Sequence, residues 1–512
     1  MKLPTEAVVT LPPLPARLHF VGIGGIGMSG LARILRTWSY EVTGSDATAS
    51  PLTDDLAAEG IGIAIGHAVT AWAEAADLVV LTAAIRDGNP EVTAAREASR
   101  AVVKRAALLG ALADAREGIA VAGSHGKSTT SGMIATALLA LGEAPSYAVG
   151  ATLSATGTNA APGSGSAFVV EADEYDYSFL QLHPAVAVVT NVDYDHPDLF
   201  PDGEAYDAAF ARFVAGIRRD GVLVLAADDP GCHRLGLRED WRPPVRVVTF
   251  GETDDTDWRL AQDGNAWKVT GPAGATVRLH PKLPGRHNAR NATAALAAIA
   301  SLGIEPTAIA AALDTFRGVG RRFEHKGAAA GVDVFDDYAH HPTEIAATLR
   351  AARDRYPDRR LWALFQPHTF SRLKALLPEF AGSFGDADEV VILDVYAARE
   401  TDDLGVSAAD LRALLPGARG AGDPAEAASL VAELARSGDI LLTLGAGTIT
   451  EAGPVLLGLL TESPHPPTPA PGARERGSGT GTVETTPRGV TEEALDDRSP
   501  TDRSVDAGSF PL

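Results

Sequence analysis

Gly118 to Ser131 reads G-I-A-V-A-G-S-H-G-K-S-T-T-S, and the rest of the chain is organised around this run. Ile119 to Ala122 is a short apolar run of the kind that forms a buried strand. Beyond Lys127 the apolar positions Met133, Ile134, Leu138 and Leu139 fall at helical spacing. Strand, glycine loop, lysine, hydroxyl and helix together make a phosphate cradle. Gly123 and Gly126 permit the tight turn that points amide hydrogens inward, and the positive end of the helix dipole favours an anion there. In such a cradle Gly123, Ser124, His125, Gly126, Lys127, Ser128 and Thr129 surround the phosphates. Lys127 reaches the terminal ones and Ser128 offers its hydroxyl to magnesium. The match to G-x-x-x-x-G-K-[ST] is incomplete, because Val121 stands where the pattern has its first glycine. An ordinary strand-to-helix turn with a solvated lysine is the alternative; two glycines, a lysine and three consecutive hydroxyls favour the cradle.

At 512 residues the chain is too long for one core, and its length suggests about three domains. Hydrophobic residues make up 45% and charged residues 21%, as in a globular enzyme. The formal net charge of -22 disfavours a nucleic-acid partner, which wants a basic face. The one cysteine, Cys232, has no partner for an internal disulfide, so a reducing compartment is expected. The opening M-K-L-P-T-E-A-V-V-T-L-P-P-L-P is interrupted by prolines and has no signal-peptide core. No run of about eighteen apolar residues is present to span a membrane. The expectation is a cytoplasmic protein without membrane insertion, monomer or homodimer.

Toward the N-terminus, L-H-F-V-G-I-G-G-I-G-M-S-G-L-A passes from strand to helix. Gly22, Gly24 and Gly27 satisfy G-x-G-x-x-G, with Gly25 between them, and E-V-T-G-S-D ends a second strand at Asp46. Alone, this pattern says nicotinamide dinucleotide. The same loop holds the pyrophosphate of any nucleotide diphosphate, and glycines of this spacing also serve tight helix-on-strand packing. G-I-A-I-G-H and L-V-V-L-T-A-A-I continue the alternation of strand and helix that makes a parallel sheet covered on both faces. His67, Thr82 and Asn89 stand near strand ends, where ligands bind, although each residue type is also a common cap or turn residue. The helical K-R-A-A-L-L-G-A-L-A-D-A-R leads into the central domain.

After the phosphate loop, A-F-V-V-E-A-D-E-Y-D is a strand ending in Glu171, Asp173, Glu174 and Asp176. A-V-A-V-V-T-N-V-D-Y-D-H is another, ending in Asn191, Asp193, Asp195 and His196. Carboxylates and a histidine at strand ends beside a phosphate loop suit a metal–nucleotide site, with Ser128, Glu171 and His196 as candidate ligands. Short alternating segments between Trp258 and His280, separated by glycine turns, predict a small antiparallel patch. Asn288 and Asn291 open the next helix, placed to cap it or to hold an adenine edge. A second open α/β sheet follows: V-D-V-F-D-D-Y-A-H-H-P, R-L-W-A-L-F-Q-P-H-T-F-S-R, E-V-V-I-L-D-V-Y and D-I-L-L-T-L-G-A-G-T-I. It gathers Asp336, Asp337, Tyr338, His340 and His341 at a strand end. The adjacent histidines have no cysteine or H-E-x-x-H companion, so the sequence gives no zinc site. From about Glu462 the composition turns to Pro, Thr, Gly and Ser, which predicts a disordered tail.

Taken in order, these motifs resemble the Mur ligases of peptidoglycan synthesis, over roughly Leu18 to Leu460. H-F-V-G-I-G-G-I-G-M-S-G, G-S-H-G-K-S-T-T, V-E-A-D-E, T-N-V-D-Y-D-H, G-R-H-N-A-R-N-A, G-R-R-F-E, D-D-Y-A-H-H-P and F-Q-P-H-T-F-S-R carry the likeness, which is greatest to the alanine-adding branch. The resemblance implies a three-domain α/β protein. Residues 1–117 form a Rossmann-like domain for a UDP-substrate, and 118–319 a central P-loop-type ATP domain. Residues 320–461 form a Rossmann-like domain for the amino acid, and 462–512 are the tail. It implies ATP-dependent joining of L-alanine to the carboxylate of UDP-N-acetylmuramate through an acyl phosphate, with magnesium. A relative adding a peptide or another amino acid is the alternative; a dehydrogenase reading of the first motif leaves the Lys127 loop unexplained.

By motif, Gly22, Gly24, Gly25, Gly27 and Asp46 would meet the UDP-sugar, and Lys127 the phosphates. Ser128 and Glu171 would hold one magnesium, and Glu171 with His196 a second. Asn291 would meet adenine, Arg322 the phosphates and Asp337 the ribose. Tyr338, His340 and Arg372 would shape the alanine site, and Lys127, His196, His340 and Arg372 would serve the chemistry. Thr369 stands where some members have arginine, so no contact of that arginine transfers.

Overall fold

The computed structural model describes residues 9–82, 85, 88–237 and 245–462. Most of the predicted tail therefore lies outside the described residues, although Glu462 itself ends the helix Ala452–Glu462. Three sheets follow one another along the chain. The first contains β1 (Arg17–Val21), β2 (Glu41–Asp46), β3 (Gly62–Ile65), β4 (Leu78–Leu81) and β5 (Ala101–Lys104), in the order β3-β2-β1-β4-β5 and parallel throughout. The order reverses between β1 and β4, and the first glycine loop leaves β1 at that crevice, where ligands of doubly wound sheets bind. β5 is an addition to the sequence reading, which ran a helix from Lys104; four residues are too few to show a strand period.

The central sheet contains β6 (Glu117–Ala122), β7 (Ser146–Ala148), β8 (Ala160–Ala161), β9 (Ala167–Glu171), β10 (Val186–Val189), β11 (Val222–Ala226), β12 (Arg246–Gly251), β13 (Trp258–Asp263), β14 (Ala266–Thr270) and β15 (Thr276–Leu279). Its ten strands run β15-β14-β13-β12-β11-β10-β6-β9-β7-β8. The predicted antiparallel patch is β13 to β15, and it is not separate: β12 pairs with β13 in parallel, so the patch extends the same sheet. β6 lies between β9 and β10, and this neighbourhood decides the site. The acids after β9 and β10 must emerge on either side of the phosphate loop that follows β6.

The third sheet contains β16 (Glu324–Ala329), β17 (Val332–Asp337), β18 (Leu361–Phe365), β19 (Glu389–Leu393), β20 (Arg419–Ala421) and β21 (Ile440–Leu444), in the order β16-β17-β21-β18-β19-β20. Only the edge strand β16 is antiparallel among these pairs. β10, β11, β18 and β21 are buried along their whole length, which is why they are written as unbroken apolar runs.

The cores divide unequally. Leu18, Phe20 and Leu35 of the first unit belong to the same apolar cluster as Ile119, Phe168 and Val188 of the central one. The third sheet has clusters of its own on its two faces, one around Phe365 and Leu442, the other around Trp362 and Leu441. Contact between the first two units is close: a Cβ on Gly30, in the helix Ile26–Thr37, would lie 2.5 Å from the Ala160 Cβ. No helix of the described residues is long and apolar enough to cross a membrane.

Candidate active site

β6 is buried from Gly118 onward and delivers the chain into the loop. Gly123 has φ +138, and a Cβ there would lie 2.0 Å from Thr190 Oγ1; Gly126 has φ +82, and its Cβ would lie 2.7 Å from Asn291 Oδ1. Both positions therefore require glycine, for conformation and for space. The helix Lys127–Ala140 begins with no side-chain cap, so its first amides remain available to an anion. Asn191 braces the loop, accepting from His125 N at 2.9 Å through Oδ1 and from Ser124 N at 3.2 Å through its carbonyl.

Lys127 Nζ donates to the carbonyls of Gly123 (2.7 Å) and Ser124 (3.1 Å) and lies 2.8 Å from the Glu174 carboxylate, whose side chain is fully buried. Burial opposes the ammonium charge, but Glu174 and Asp173 outweigh it and raise the lysine above its ordinary range. Glu174 is thus the lysine's counter-ion, a role that a row of four acids does not reveal in sequence. Glu171, at the end of β9, accepts from Gly150 N at 2.8 Å and lines the same cavity as Ser128. Burial raises its carboxyl above the usual range, Lys127 opposes that shift, and Asp173 adds repulsion. A hydroxyl and a carboxylate, both hard oxygen donors with uncompensated negative charge nearby, fit a divalent cation such as magnesium.

His196 has φ +54, and its Nε2 stands 3.8 Å from Asp195 and 3.9 Å from Glu174. Its Nδ1 lies 3.4 Å from Arg372 Nη2. His196 and Glu171 line one cavity of about 620 Å³, together with Lys127, Ser128, Arg322, Tyr338, His340 and Arg372. Arg372 reaches across from the third sheet to Asp195 at 2.8 Å, and both side chains are 3% exposed. Burial would push the Asp195 carboxyl up, yet Arg372 holds it well below the ordinary range. His340 is pushed down to about 3, by burial first and by Arg372 second. Its Nδ1 lies 2.9 Å from the Tyr338 carbonyl, which demands a donor; the neutral ring therefore carries its proton on Nδ1 and keeps a lone pair on Nε2. The Arg321 and Arg322 guanidinium groups lie 4.9 and 5.4 Å from the Tyr338 ring centre.

On the other side of the loop a second cavity, of about 680 Å³, is lined by Asn191, His287, Asn288, Asn291 and Asp337, and shares Gly126, Arg322 and Glu344 with the first. Asn288 and Asn291 do not cap their helix; the cap is Gly285, at φ +99, while Asn288 Nδ2 donates to the Pro284 carbonyl. Asp337 accepts from Phe323 N and Ala339 N, both at 2.8 Å, and burial raises it to about 6. Glu344, which sequence reasoning passed over, accepts from His340 N at 3.1 Å and lies 3.3 Å from Arg322 and 3.5 Å from His125. Its signal was present: it is the acid in the first turn of the helix Pro342–Arg355, directly after the two histidines.

The first glycine loop faces the same region, since Ile26 lines the Lys127 cavity and Gly27 an adjoining one with Glu171. Gly22 has φ +86, its amide and that of Ile23 donate to the Ser45 carbonyl, and Gly24 N donates to Asp46 at 2.8 Å. Gly25 is the residue before the helix Ile26–Thr37. Asn89 caps the helix Pro90–Glu97, and His67 lies 2.9 Å from the Ser45 hydroxyl, so these two serve local structure.

Sequence models of three domains match in the same order as the sheets. They are "Mur ligase family, catalytic domain" over residues 17–117, "Mur ligase middle domain" over 121–299, and "Mur ligase, glutamate ligase domain" over 321–447. The chain belongs to the Mur ligase family. Among Mur ligases, the UDP-N-acetylmuramate–L-alanine ligase of Paenarthrobacter aurescens is 45% identical over 453 residues, covering 88% of this chain and 99% of that one. The enzyme of the same name from Kineococcus radiotolerans is 45% identical over 468 residues, covering 90% and 99%. The crystal structure of the Thermotoga maritima UDP-N-acetylmuramate–alanine ligase superposes with TM-score 0.68 at 29% identity, over 86% of this chain and 98% of that one. A murein peptide ligase from Psychrobacter arcticus superposes with TM-score 0.65 at 25% identity, over 88% and 99%.

Proposed function

We propose that this Mur ligase joins L-alanine to the carboxylate of UDP-N-acetylmuramate at the expense of ATP. The observation that carries the reading is the position of the phosphate loop, which forms the common wall of two cavities. One offers amides and carboxylates to a nucleoside; the other offers arginines, histidines and a tyrosine to a carboxylate and an amine. The 45% identity to alanine ligases supports the branch.

In this reading residues 1–117 hold the UDP portion through Gly22, Gly24, Gly25, Gly27 and Asp46. Residues 118–319 hold ATP through the loop from Gly123 to Thr129 and Asn291, with Arg322 and Asp337 reaching in from residues 320–461. The substrate carboxylate attacks the γ-phosphorus of ATP and ADP leaves; the alanine amine then attacks the acyl carbon, and inorganic phosphate and a proton leave. Lys127 and Arg322 stabilise charge on the transferring group. Ser128 and Glu171, with His196 nearby, would hold magnesium, which when bound would supply neutralisation of phosphate charge. Arg372, Tyr338 and His340 shape the amino-acid site, and the Nε2 lone pair of His340 accepts a hydrogen bond from the alanine nitrogen. No protein nucleophile is needed.

The test is phosphate release from ATP and magnesium in the presence of UDP-N-acetylmuramate, with L-alanine, glycine, L-serine or a tripeptide. Release that requires both substrates and is fastest with L-alanine is the expected result. Preference for the tripeptide transfers the chain to a peptide-adding branch, and release with none of them overturns the reading.

A further inference from the structure

His125, Asp193 and His341 come from three separate places: the phosphate loop, the segment after β10, and the residue preceding the helix Pro342–Arg355. One ligand atom from each lies within 4.8 Å of the others. Asp193 Oδ2 is 3.2 Å from His125 Nε2 and 3.7 Å from His341 Nδ1, and the two imidazole centres are 4.7 Å apart. The histidine pair that the sequence offered, His340 with His341, is not the relevant one, because the partners of His341 come from the central unit.

A second observation points to a ligand. His341 is 4% exposed, and its Nε2 has no hydrogen-bond partner among the described residues. Its Nδ1 receives only a 3.3 Å contact from Thr343 N. A buried imidazole served this poorly has a ring nitrogen to give: Nδ1 as it stands, or Nε2 after a ring flip. Two imidazoles and one carboxylate are the donor set of zinc and its neighbours, not of magnesium, which takes oxygen.

We propose that His125, Asp193 and His341 bind one divalent transition-metal ion of zinc's class, separate from the oxygen-lined position at Ser128 and Glu171. The supporting groups are in place. Glu344 lies 3.5 Å from His125 Nδ1, and the Thr343 hydroxyl donates to Asp193 Oδ2 at 2.7 Å. Such outer partners orient metal ligands. The Asp193 side chain is 41% exposed, which leaves an entry path and room for a water as fourth ligand. Tetrahedral coordination with bonds of about 2.0 Å needs ligand atoms about 3.3 Å apart, so the cluster closes by roughly 1 Å or a little more. The ion takes the place of a proton on His125, and that proton leaves to solvent. Because His125 sits in the phosphate loop and His341 caps the helix that follows β17 of the third sheet, the bound ion clips the two together.

The experiment titrates the full-length chain with zinc and with cobalt(II) in excess magnesium, reading bound metal by equilibrium dialysis and the visible absorption of cobalt. One equivalent, with the intense absorption of a four-coordinate site, is expected. His341→Asn, which keeps a cap acceptor, and Asp193→Asn should each weaken binding about tenfold or more, whereas Glu171→Gln should leave it unchanged. Absence of stoichiometric binding, binding indifferent to both of the first two variants, or binding lost with Glu171→Gln overturns the proposal. If His341→Asn does not fold, the partly exposed Asp193 carries the comparison.

Discussion

Lys127 holds three acceptors before any phosphate arrives: two loop carbonyls and the buried Glu174 carboxylate. It is therefore pre-positioned, and a phosphate competes with Glu174 for it. Lys127→Ala should lower ATP-dependent ligation by about 10²–10³-fold, the cost of removing one preorganised charge, while calorimetry with the UDP-substrate shows nearly unchanged affinity. Loss of both would argue against separate binding units. Glu171→Ala should raise the magnesium concentration needed for half-maximal rate at least tenfold, since a lost ligand costs no less than a lost outer partner, which costs about 10–100-fold. An unchanged magnesium optimum would place the ion elsewhere. His340, His287 and His368 are pushed down to about 3, 4 and 4, burial being the largest cause in each. A histidine lowered in the fold binds its proton more readily when unfolded. Its contribution to stability is therefore complete above its ordinary value near 6.5 and is lost as pH falls from there toward 4 and 3. Thermal unfolding should show stability falling over that window, with a shallower fall in His287→Gln. At this scale the motif residues Lys127, Ser128 and Glu171 were legible because spacing fixes them. Glu174 and Glu344 were not, since neighbouring acids look alike until the fold decides which one faces the lysine or the arginine.

Elements were legible in proportion to how completely they are buried. β6, β10, β18 and β21 stood out as unbroken apolar runs, whereas β5, β7, β8 and β20 have two to four residues and no measurable period. What spacing could not supply is adjacency. That β6 lies between β9 and β10 is a matter of sheet order, and this order alone sets Glu171 and Asp193 on opposite flanks of one loop. Adjacency also explains Gly30, whose absent side chain lets the helix Ile26–Thr37 approach Ala160. Gly30→Val should destabilise the protein by about 1–3 kcal/mol through overpacking, read as a lowered midpoint of thermal unfolding, with the phosphate loop itself untouched.

For the whole molecule the uneven division of cores is decisive. Among the described residues the first two units share one apolar cluster and the third shares none with them, meeting the central unit mainly through polar pairs such as Asp195–Arg372, Asp193–Thr343 and His125–Glu344. Asp195→Ala leaves the Arg372 cation buried and unpaired, a penalty of about 3–5 kcal/mol that separation of the third unit relieves. Small-angle scattering should report a larger radius of gyration for this variant, and an unchanged radius would show that other contacts hold the units together. The three sheets and their order along the chain were legible in sequence; the placement of this seam was not, because core membership depends on which apolar faces meet. The seam has a thermodynamic consequence. Parting it wets mainly charged and polar side chains, with a little hydrocarbon such as Ala351, which packs on Gly285, so the heat-capacity change that accompanies most conformational openings should be close to zero. The balance between parted and joined forms then follows a straight van't Hoff line, and cooling neither traps nor frees the molecule by weakening hydrophobic contact.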